Sequence, residues 1–260
     1  MPALLDFRHV TVFRGNSESP ALDDLSLRID AGEHVCIFGP NGCGKSTLIK
    51  TITRECYPIP ASGSSIEILG KDRWDVFQLR SLLGIASPDL LTACSTDATG
   101  RDIVISGFFS STRIFPHHHP SADLLDRADR ALHRVGVGHL ASRPLTQMSS
   151  GEAQRTLIAR ALVHDPQTLL FDEPSNALDI AAQFQLRDAM RDLARSGIGI
   201  LLVTHHVAEI IPEIDRILLL KNGRIVGDGP KHTMLTAPRL SDLFGVPVRV
   251  STNDAYYHVL

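Results

Sequence analysis

Residues 39–47 combine glycines, a lysine and hydroxyl side chains in an order suited to holding phosphate. The stretch fits the pattern G-x-x-x-x-G-K-[S/T] and consists of Gly39, Pro40, Asn41, Gly42, Cys43, Gly44, Lys45, Ser46 and Thr47. Glycines let the backbone curl until successive amides point inward, and a following helix adds partial positive charge. Random sequences of this composition contain the pattern only about 0.004 times per chain. We therefore expect a nucleotide cradle in which Lys45 reaches the β- and γ-phosphates and Ser46 binds Mg²⁺ through its hydroxyl.

A second candidate group is a pair of acids at the end of an apolar run. Residues 168–171 are mainly apolar, and Asp172 and Glu173 follow them directly. Carboxylates at the end of a buried strand usually serve a cation or a proton transfer, because burying them otherwise is costly. We expect Asp172 to hold Mg²⁺, directly or through water, and Glu173 to orient or deprotonate an attacking water. The alternative is a solvated turn before Pro174, and the cradle in the same chain argues against it.

Short apolar runs predict the strands that would position these groups. Residues 35–38, 169–171 and 200–203 lack polar alternation, as strands covered on both faces do. Amphipathic helical patterns separate these runs. Strands and helices that alternate at this spacing predict a mostly parallel sheet with right-handed crossovers.

The remaining segments depart from this alternation. Short strands are expected within residues 4–38 and 64–70, and Asn222-Gly223 between two apolar runs predicts a hairpin with a tight primed turn. Residues from about 89 to 147 hold apolar clusters and a helical stretch at 121–135 but no clear strand. We expect an inserted helical subdomain there.

Composition restricts the possible classes of protein. The chain has 260 residues and a formal net charge of -3, whereas a domain that coats nucleic acid is usually basic. No apolar run approaches the roughly 20 residues of a membrane helix, and the first residues show no secretory signal. The cysteines have no metal-ligand spacing, and we expect all of them to be free thiols: Cys36, Cys43, Cys56 and Cys94.

Further motifs, in order along the chain, resemble those of the ATP-binding cassette (ABC) ATPases. Residues 148–152, Met-Ser-Ser-Gly-Glu, resemble the signature motif, usually Leu-Ser-Gly-Gly-Gln. Residues 175–179, Ser-Asn-Ala-Leu-Asp, resemble the loop after the second acidic motif. His205 follows an apolar strand as the switch histidine of the family does, and Phe13 stands where the family places an aromatic ring against adenine. The resemblance covers roughly residues 4–230.

The resemblance implies an α/β fold of the P-loop NTPase (RecA-like) type. Its core is a mostly parallel sheet, joined by an antiparallel β subdomain and an inserted helical subdomain. The implied organisation is a single ABC ATPase domain over residues 1–260, with the helical subdomain at about 89–155 and a C-terminal extension at 231–260.

The resemblance also implies a composite ATPase site that uses ATP and Mg²⁺. In the family, two cassettes clamp two ATP molecules head to tail, and the signature of one copy faces the ATP in the cradle of the other. On this chain the implied signature residues are Ser149, Ser150, Gly151 and Glu152. The dimer loop would contribute Ser175 and Asp179. The implied catalytic residues are Glu173, His205 and Lys45, with His205 contacting the γ-phosphate.

In such a family the chain would be the ATP-hydrolysing subunit of a membrane transporter. A free-standing cassette implies an importer, with separate permease subunits and an extracytoplasmic binding protein that acts through the permease. One cradle and one signature in the chain imply a homodimer as the simplest assembly, with a heterodimer as the alternative. The subunit would lie on the cytoplasmic face of the membrane, and no nucleic-acid partner is expected. Residues 240–248 resemble the tails of iron-siderophore and metal-chelate importer ATPases. The alternatives are a non-transport cytosolic ABC ATPase, acting on ribosomes, DNA or cofactor assembly, and a nucleotide-binding regulator without turnover.

Three positions depart from the family pattern. Glu152 replaces the usual glutamine of the signature, and Ser150 replaces a glycine. Pro88 stands at about the position of a glutamine that touches Mg²⁺ or the attacking water, and proline cannot donate a hydrogen bond there. Ser87 or Asp89 could substitute, or the contact is lost. The run His117–His119 between two prolines is expected to be a solvated loop rather than a metal site.

Overall fold

The computed structural model describes residues 3–15, 17–94 and 97–260, with the side chains of Phe77, Arg80 and Pro88 left undescribed. The chain forms two compact units, Met1–Val76 with Gly199–Leu260, and Phe77–Ile198. The strands are β1 (Ala3–Val12), β2 (Leu22–Asp30), β3 (His34–Phe38), β4 (Ser65–Ile68), β5 (Leu83–Ala86), β6 (Thr168–Asp172), β7 (Gly199–Thr204), β8 (Arg216–Lys221), β9 (Arg224–Pro230), β10 (Val250–Asn253) and β11 (Tyr256–Val259). The helices are α1 (Lys45–Ile52), α2 (Val76–Leu82), α3 (Pro88–Ala93), α4 (Gly100–Phe108), α5 (Ala122–Arg134), α6 (Ser150–Leu162), α7 (Ile180–Arg195), α8 (Lys231–Met234) and α9 (Ala237–Phe244).

The first unit is built on parallel strands in the order β7-β3-β8, with β9 antiparallel at the edge. The central strand is apolar because both of its faces are covered, and residues 35–38 are fully buried as predicted. Phe38 pairs with Thr204 at the carboxyl ends of β3 and β7. The segments that follow these two residues therefore start side by side.

The same unit carries the predicted antiparallel elements. The sheet β2-β1-β4 is antiparallel throughout, and β8 and β9 form the predicted hairpin. Asn222 and Gly223 at its turn have φ angles of 50° and 77°, the left-handed conformation that a primed turn requires. The sequence signal for this turn is confirmed.

The second unit combines a parallel pair of strands with a group of packed helices. Strands β5 and β6 pair in register from Leu83 with Thr168 to Ala86 with Phe171. Helices α4, α5 and α6 pack on one another, and a small core joins Ile103 of α4, Leu157 of α6 and Cys94, which directly follows α3. The described residues between β5 and β6 form helices and connecting turns.

Two global properties follow from the described residues. No helix among them is both long enough and apolar enough to cross a membrane.

The four cysteines are free thiols, as predicted. Burial raises the pKa of the Cys36 thiol well above its usual value, so this side chain behaves as a small apolar group within the sheet.

Candidate functional site

The cradle is the loop between β3 and α1, and its glycines are fixed by neighbouring backbone. Gly44 has a φ of 113°, and a methyl group there would lie 2.5 Å from the carbonyl oxygen of Ala21. A methyl group at Gly39 would collide with the carbonyl oxygen of Leu220. Both positions therefore exclude any larger residue, and the loop is held in one curled conformation.

Lys45 is the first residue of α1, and its side chain folds back over the loop. It is only 5% exposed, and its Nζ donates to the carbonyl oxygens of Gly39 at 2.9 Å and Pro40 at 3.0 Å. Gly44 at the helix N-cap has no side chain to satisfy the first amides of α1. An ammonium and a helix N-terminus thus converge on the loop, which is the arrangement that favours a phosphate group.

The structure places two other predicted residues near this cradle. The Gly39 amide donates to the Thr204 carbonyl at 3.3 Å, so His205 begins next to the start of the loop. Phe13 directly follows Val12, which pairs with Leu22. The same leucine lies against Gly44. At 37% exposed, the Phe13 ring is available for stacking on a planar base.

The acidic end of β6 has an unusual backbone. Asp172 is its last residue, and Glu173 has a φ of 42°. Such a left-handed conformation costs a non-glycine residue about 1–2 kcal/mol. Strain of this kind persists where the surrounding structure imposes it, and it is concentrated at functional positions.

Asn176 holds the Glu173 carboxylate and was not singled out from the sequence. Its Nδ2 donates to Glu173 Oε2 at 2.9 Å, and its backbone amide donates to the Glu173 carbonyl at 3.2 Å. Asparagine three residues after an acid in a turn is a weak signal, but it is the one that could have identified this contact. The dimer-loop residue Ser175 lies next to it and is buried.

The signature residues form the N-terminus of α6. Ser149 is the N-cap: its Oγ accepts from the Glu152 amide at 3.3 Å, while Glu152 Oε2 accepts from the Ser149 amide at 2.8 Å. This reciprocal pair is a capping box. The backbone hydrogen bond from Ser149 is the main reason that the pKa of Glu152 lies below its usual value. The glutamate that replaces the family glutamine thus fits the helix start.

The signature packs against the helix that follows the dimer loop. Asp179 caps α7 by accepting from the Ala182 amide at 2.7 Å. A methyl group at Gly151 would lie 2.6 Å from the Ala182 Cβ, so the first turns of α6 and α7 approach at a glycine. Arg155 Nη1 also donates to Gln185 Oε1 at 2.6 Å. These contacts hold the start of α6, which carries the signature residues, against the start of α7.

The sequence of this chain matches the family model described as "ABC transporter" over residues 22–176. The chain belongs to the ABC transporter family. An ABC transporter ATP-binding protein of Bacillus subtilis, YlmA, is 34% identical over 238 residues, 90% of this chain and 88% of that protein. The hemin import ATP-binding protein HmuV of Bradyrhizobium diazoefficiens is 30% identical over 279 aligned residues, 100% of this chain and 95% of that protein.

Solved ABC structures share the fold. A metal-chelate type ABC transporter in an inward-facing conformation superposes with a TM-score of 0.78 and 24% identity, covering 99% of this chain and 96% of that one. A dimeric cassette in a post-hydrolysis state with ADP and phosphate gives a TM-score of 0.72 and 25% identity, covering 87% and 98%. The predicted α/β P-loop fold is confirmed. As an ABC ATPase, this chain binds ATP and hydrolyses it.

The structure also shows the surroundings of Pro88, which departs from the family pattern, and of the histidine run. Ser87 is the N-cap of α3 and Pro88 its first residue, a position that proline favours, while the Pro88 side chain lies outside the described part of the structure. The His117–His119 run lies in a loop where Phe109 stacks on His118 at 4.1 Å between ring centroids. Within the described ranges, no group of three or more acidic, histidine or cysteine side chains is arranged to hold a metal ion.

Proposed function

We propose that this cassette powers a membrane importer, as one of two identical ATPase subunits attached to a separate permease. The observation that carries the proposal is the match of this chain to a hemin import ATP-binding protein. The alignment covers 100% of this chain and 95% of that protein. The likeness to a metal-chelate type transporter agrees with it. A metal chelate is therefore the proposed class of cargo. The permease would receive it from an extracytoplasmic binding protein, and the cassette would lie on the cytoplasmic face.

Within the cassette, the cradle binds the triphosphate of ATP. Lys45 exchanges its two carbonyl acceptors for phosphate oxygens, which are stronger partners for an ammonium. Phe13 stacks on the adenine. The backbone amides of residues 39–47 hold the β-phosphate, as the curled glycines favour.

The donors for Mg²⁺ in this proposal are Ser46 and Asp172. A hydroxyl at the start of α1 and a carboxylate at the end of β6 are hard oxygen donors, which is the chemistry that Mg²⁺ prefers. Ser46 is exposed and Asp172 half-buried, so both side chains fit a partly hydrated ion. Bound Mg²⁺ would neutralise charge on the β- and γ-phosphates.

Hydrolysis is assigned to Glu173 and His205. Glu173 accepts a proton from the attacking water or orients it, and Asn176 keeps the carboxylate in place. His205 contacts the γ-phosphate and stabilises the charge that develops there. Its position beside Gly39 is consistent with this role.

A complete site needs two copies in this proposal, because the sequence holds one cradle and one signature. Ser149, Ser150, Gly151 and Glu152 of one copy face the ATP in the other copy's cradle, at the N-terminus of α6. Ser175 and Asp179 line the contact between the copies. Binding of ATP closes the pair, and hydrolysis reopens it.

The test is Glu173→Gln combined with a search for partners. The variant is expected to bind ATP, to lower turnover by about 100-fold or more, and to elute as an ATP-dependent dimer in size-exclusion chromatography. Undiminished hydrolysis would remove Glu173 from the role of base. Affinity purification from native membranes is expected to recover a multi-span permease. Recovery of ribosomes or DNA in its place would favour the non-transport alternative.

A further inference from the structure

The chain that follows His205 is a short turn that leads into a buried segment. A 3₁₀ turn, Val207–Glu209, begins two residues after His205 and closes with the Glu209 amide donating to the His206 carbonyl at 3.1 Å. Residues 210 and 211 are fully buried. His205 is thus anchored by β7 on one side and by this turn on the other.

Lys231 holds the chain just beyond this turn. Its Nζ donates to the carbonyl oxygens of Pro212 at 2.9 Å and Ile211 at 3.3 Å, and its backbone amide donates to the Asp215 carbonyl at 2.7 Å. The ammonium is partly buried, and this burial lowers its pKa from the usual value. A charged donor on two carbonyls is one of the stronger local restraints a chain can make.

The C-terminal hairpin covers the turn itself. Strand β11 packs against Val207–Glu209, and β10 pairs with β11 in register from Val250 with Val259 to Asn253 with Tyr256. Two further backbone hydrogen bonds between Arg249 and Leu260, at 3.0 Å and 2.9 Å, extend the hairpin. Strand β11 therefore packs on the turn, Lys231 holds the chain that follows it, and both belong to the segment after β9.

We propose that Lys231 is a positioning residue for His205, acting through residues 207–212, which it restrains at their C-terminal end. The inference rests on the role proposed above for His205 at the γ-phosphate. Displacing a catalytic group by about 1 Å can slow a reaction about 100-fold. Releasing this segment at Ile211 and Pro212 shifts His205 relative to the cradle while the cradle itself keeps its own contacts. The expected signature is a loss of turnover without a loss of nucleotide affinity.

Lys231→Met tests this, because methionine keeps an unbranched apolar stem and loses the ammonium. We expect kcat to fall about tenfold, with KM and the dissociation constant for ATP within twofold of the wild type. The matched control is Lys221→Met. Lys221 also donates through Nζ to a backbone carbonyl, that of Asp242, but it does not touch the turn after His205. It is expected to lose stability similarly and to keep its kcat.

His205→Ala, measured in parallel, separates this inference from the proposed function. If His205→Ala loses turnover while Lys231→Met matches the control, the positioning role is wrong and the role of His205 stands. If His205→Ala keeps its turnover, the proposed role of His205 is wrong. Should Lys231→Met not fold, Lys231→Leu, which likewise lacks an N–H donor, is compared with Lys221→Leu by the same criteria. A kcat equal to that control would contradict the inference.

Discussion

At the residue scale, the cradle is specified by oxygen atoms that belong to other segments of the chain. The carbonyl oxygen of Ala21 would lie 2.5 Å from a methyl group at Gly44, and that of Leu220 would collide with a methyl group at Gly39. The motif therefore needs glycine for two reasons that act together: a positive φ at Gly44, and close approach of backbone at both positions.

Gly44→Ala is expected to abolish tight ATP binding and to destabilise the fold by about 1–3 kcal/mol. The reason is that the methyl group meets the Ala21 oxygen while the backbone stays left-handed. Calorimetric titration with ATP and thermal unfolding measure the two effects. Gly63→Ala is the control, since Gly63 has a φ of 80° with nothing within 4 Å of the added methyl group. Unchanged ATP affinity in Gly44→Ala would contradict the cradle assignment.

Asn176→Ala is expected to lower kcat about tenfold with little change in KM, because Glu173 loses the amide that orients it. Steady-state hydrolysis assays measure both constants. Asn253→Ala, in the exposed strand β10, serves as the control and should behave as the wild type. A normal kcat in Asn176→Ala would show that the backbone alone orients the glutamate.

At the element scale, the sequence predicted those strands, helix caps and turns that depend on residues close together in the chain. Apolar runs predicted β3, β6 and β7, Ser121 caps α5 at the start of the predicted helical stretch, and Asn222-Gly223 predicted its turn. Turn and cap residues act within a few positions of themselves, so their effects are visible in sequence.

Contacts between distant residues were not predictable in the same way. Lys231 reaches carbonyls about 20 positions away, and the left-handed backbone of Glu173 is imposed by packing rather than by its own preference. The stack of Phe109 on His118 likewise depends on how a loop returns to the end of α4. In each case the sequence shows the side chain but not the neighbour that gives it a role.

The capping box of α6 leads to a pH-dependent prediction. The pKa of Glu152 is lower in the folded chain than its usual value, so its contribution is fully present above that usual value and is lost as the pH falls through the lowered one. Glu152→Gln keeps the acceptor but not the charge. The difference in unfolding free energy between wild type and this variant should shrink from pH 6 towards about pH 3, as measured by urea unfolding. Glu152→Ala should cost about 1 kcal/mol at pH 7. A difference that grows on acidification would contradict the charged cap.

At the scale of the whole molecule, the residues proposed to act on ATP are divided between the two units. The cradle and His205 belong to one unit, while Glu173, the signature and the dimer loop belong to the other. In the proposed homodimer, two such copies would form two identical composite sites, each with its cradle from one chain and its signature from the other.

The proposed sharing of each site between two copies predicts complementation between two inactive variants. Lys45→Ala removes the cradle lysine, and Ser150→Asp adds a charge that repels phosphate while favouring the N-terminus of α6. Each alone should be nearly inactive. A refolded equimolar mixture should recover about a quarter of the wild-type rate, since half of the pairs hold one intact site of two. Hydrolysis assays on the mixture measure this, and a mixture as inactive as its components would contradict the shared site.

The left-handed backbone of Glu173 also bears on how the protein would respond to selection. Glycine and asparagine adopt that conformation with less strain than glutamate does. In a library of variants screened only for survival of heating, both residues are expected to accumulate at position 173. The selected proteins would still bind ATP but would no longer turn it over. Selection for thermal stability therefore favours replacing Glu173, whereas selection for ATP hydrolysis favours keeping it. Only a screen for both properties would retain the glutamate.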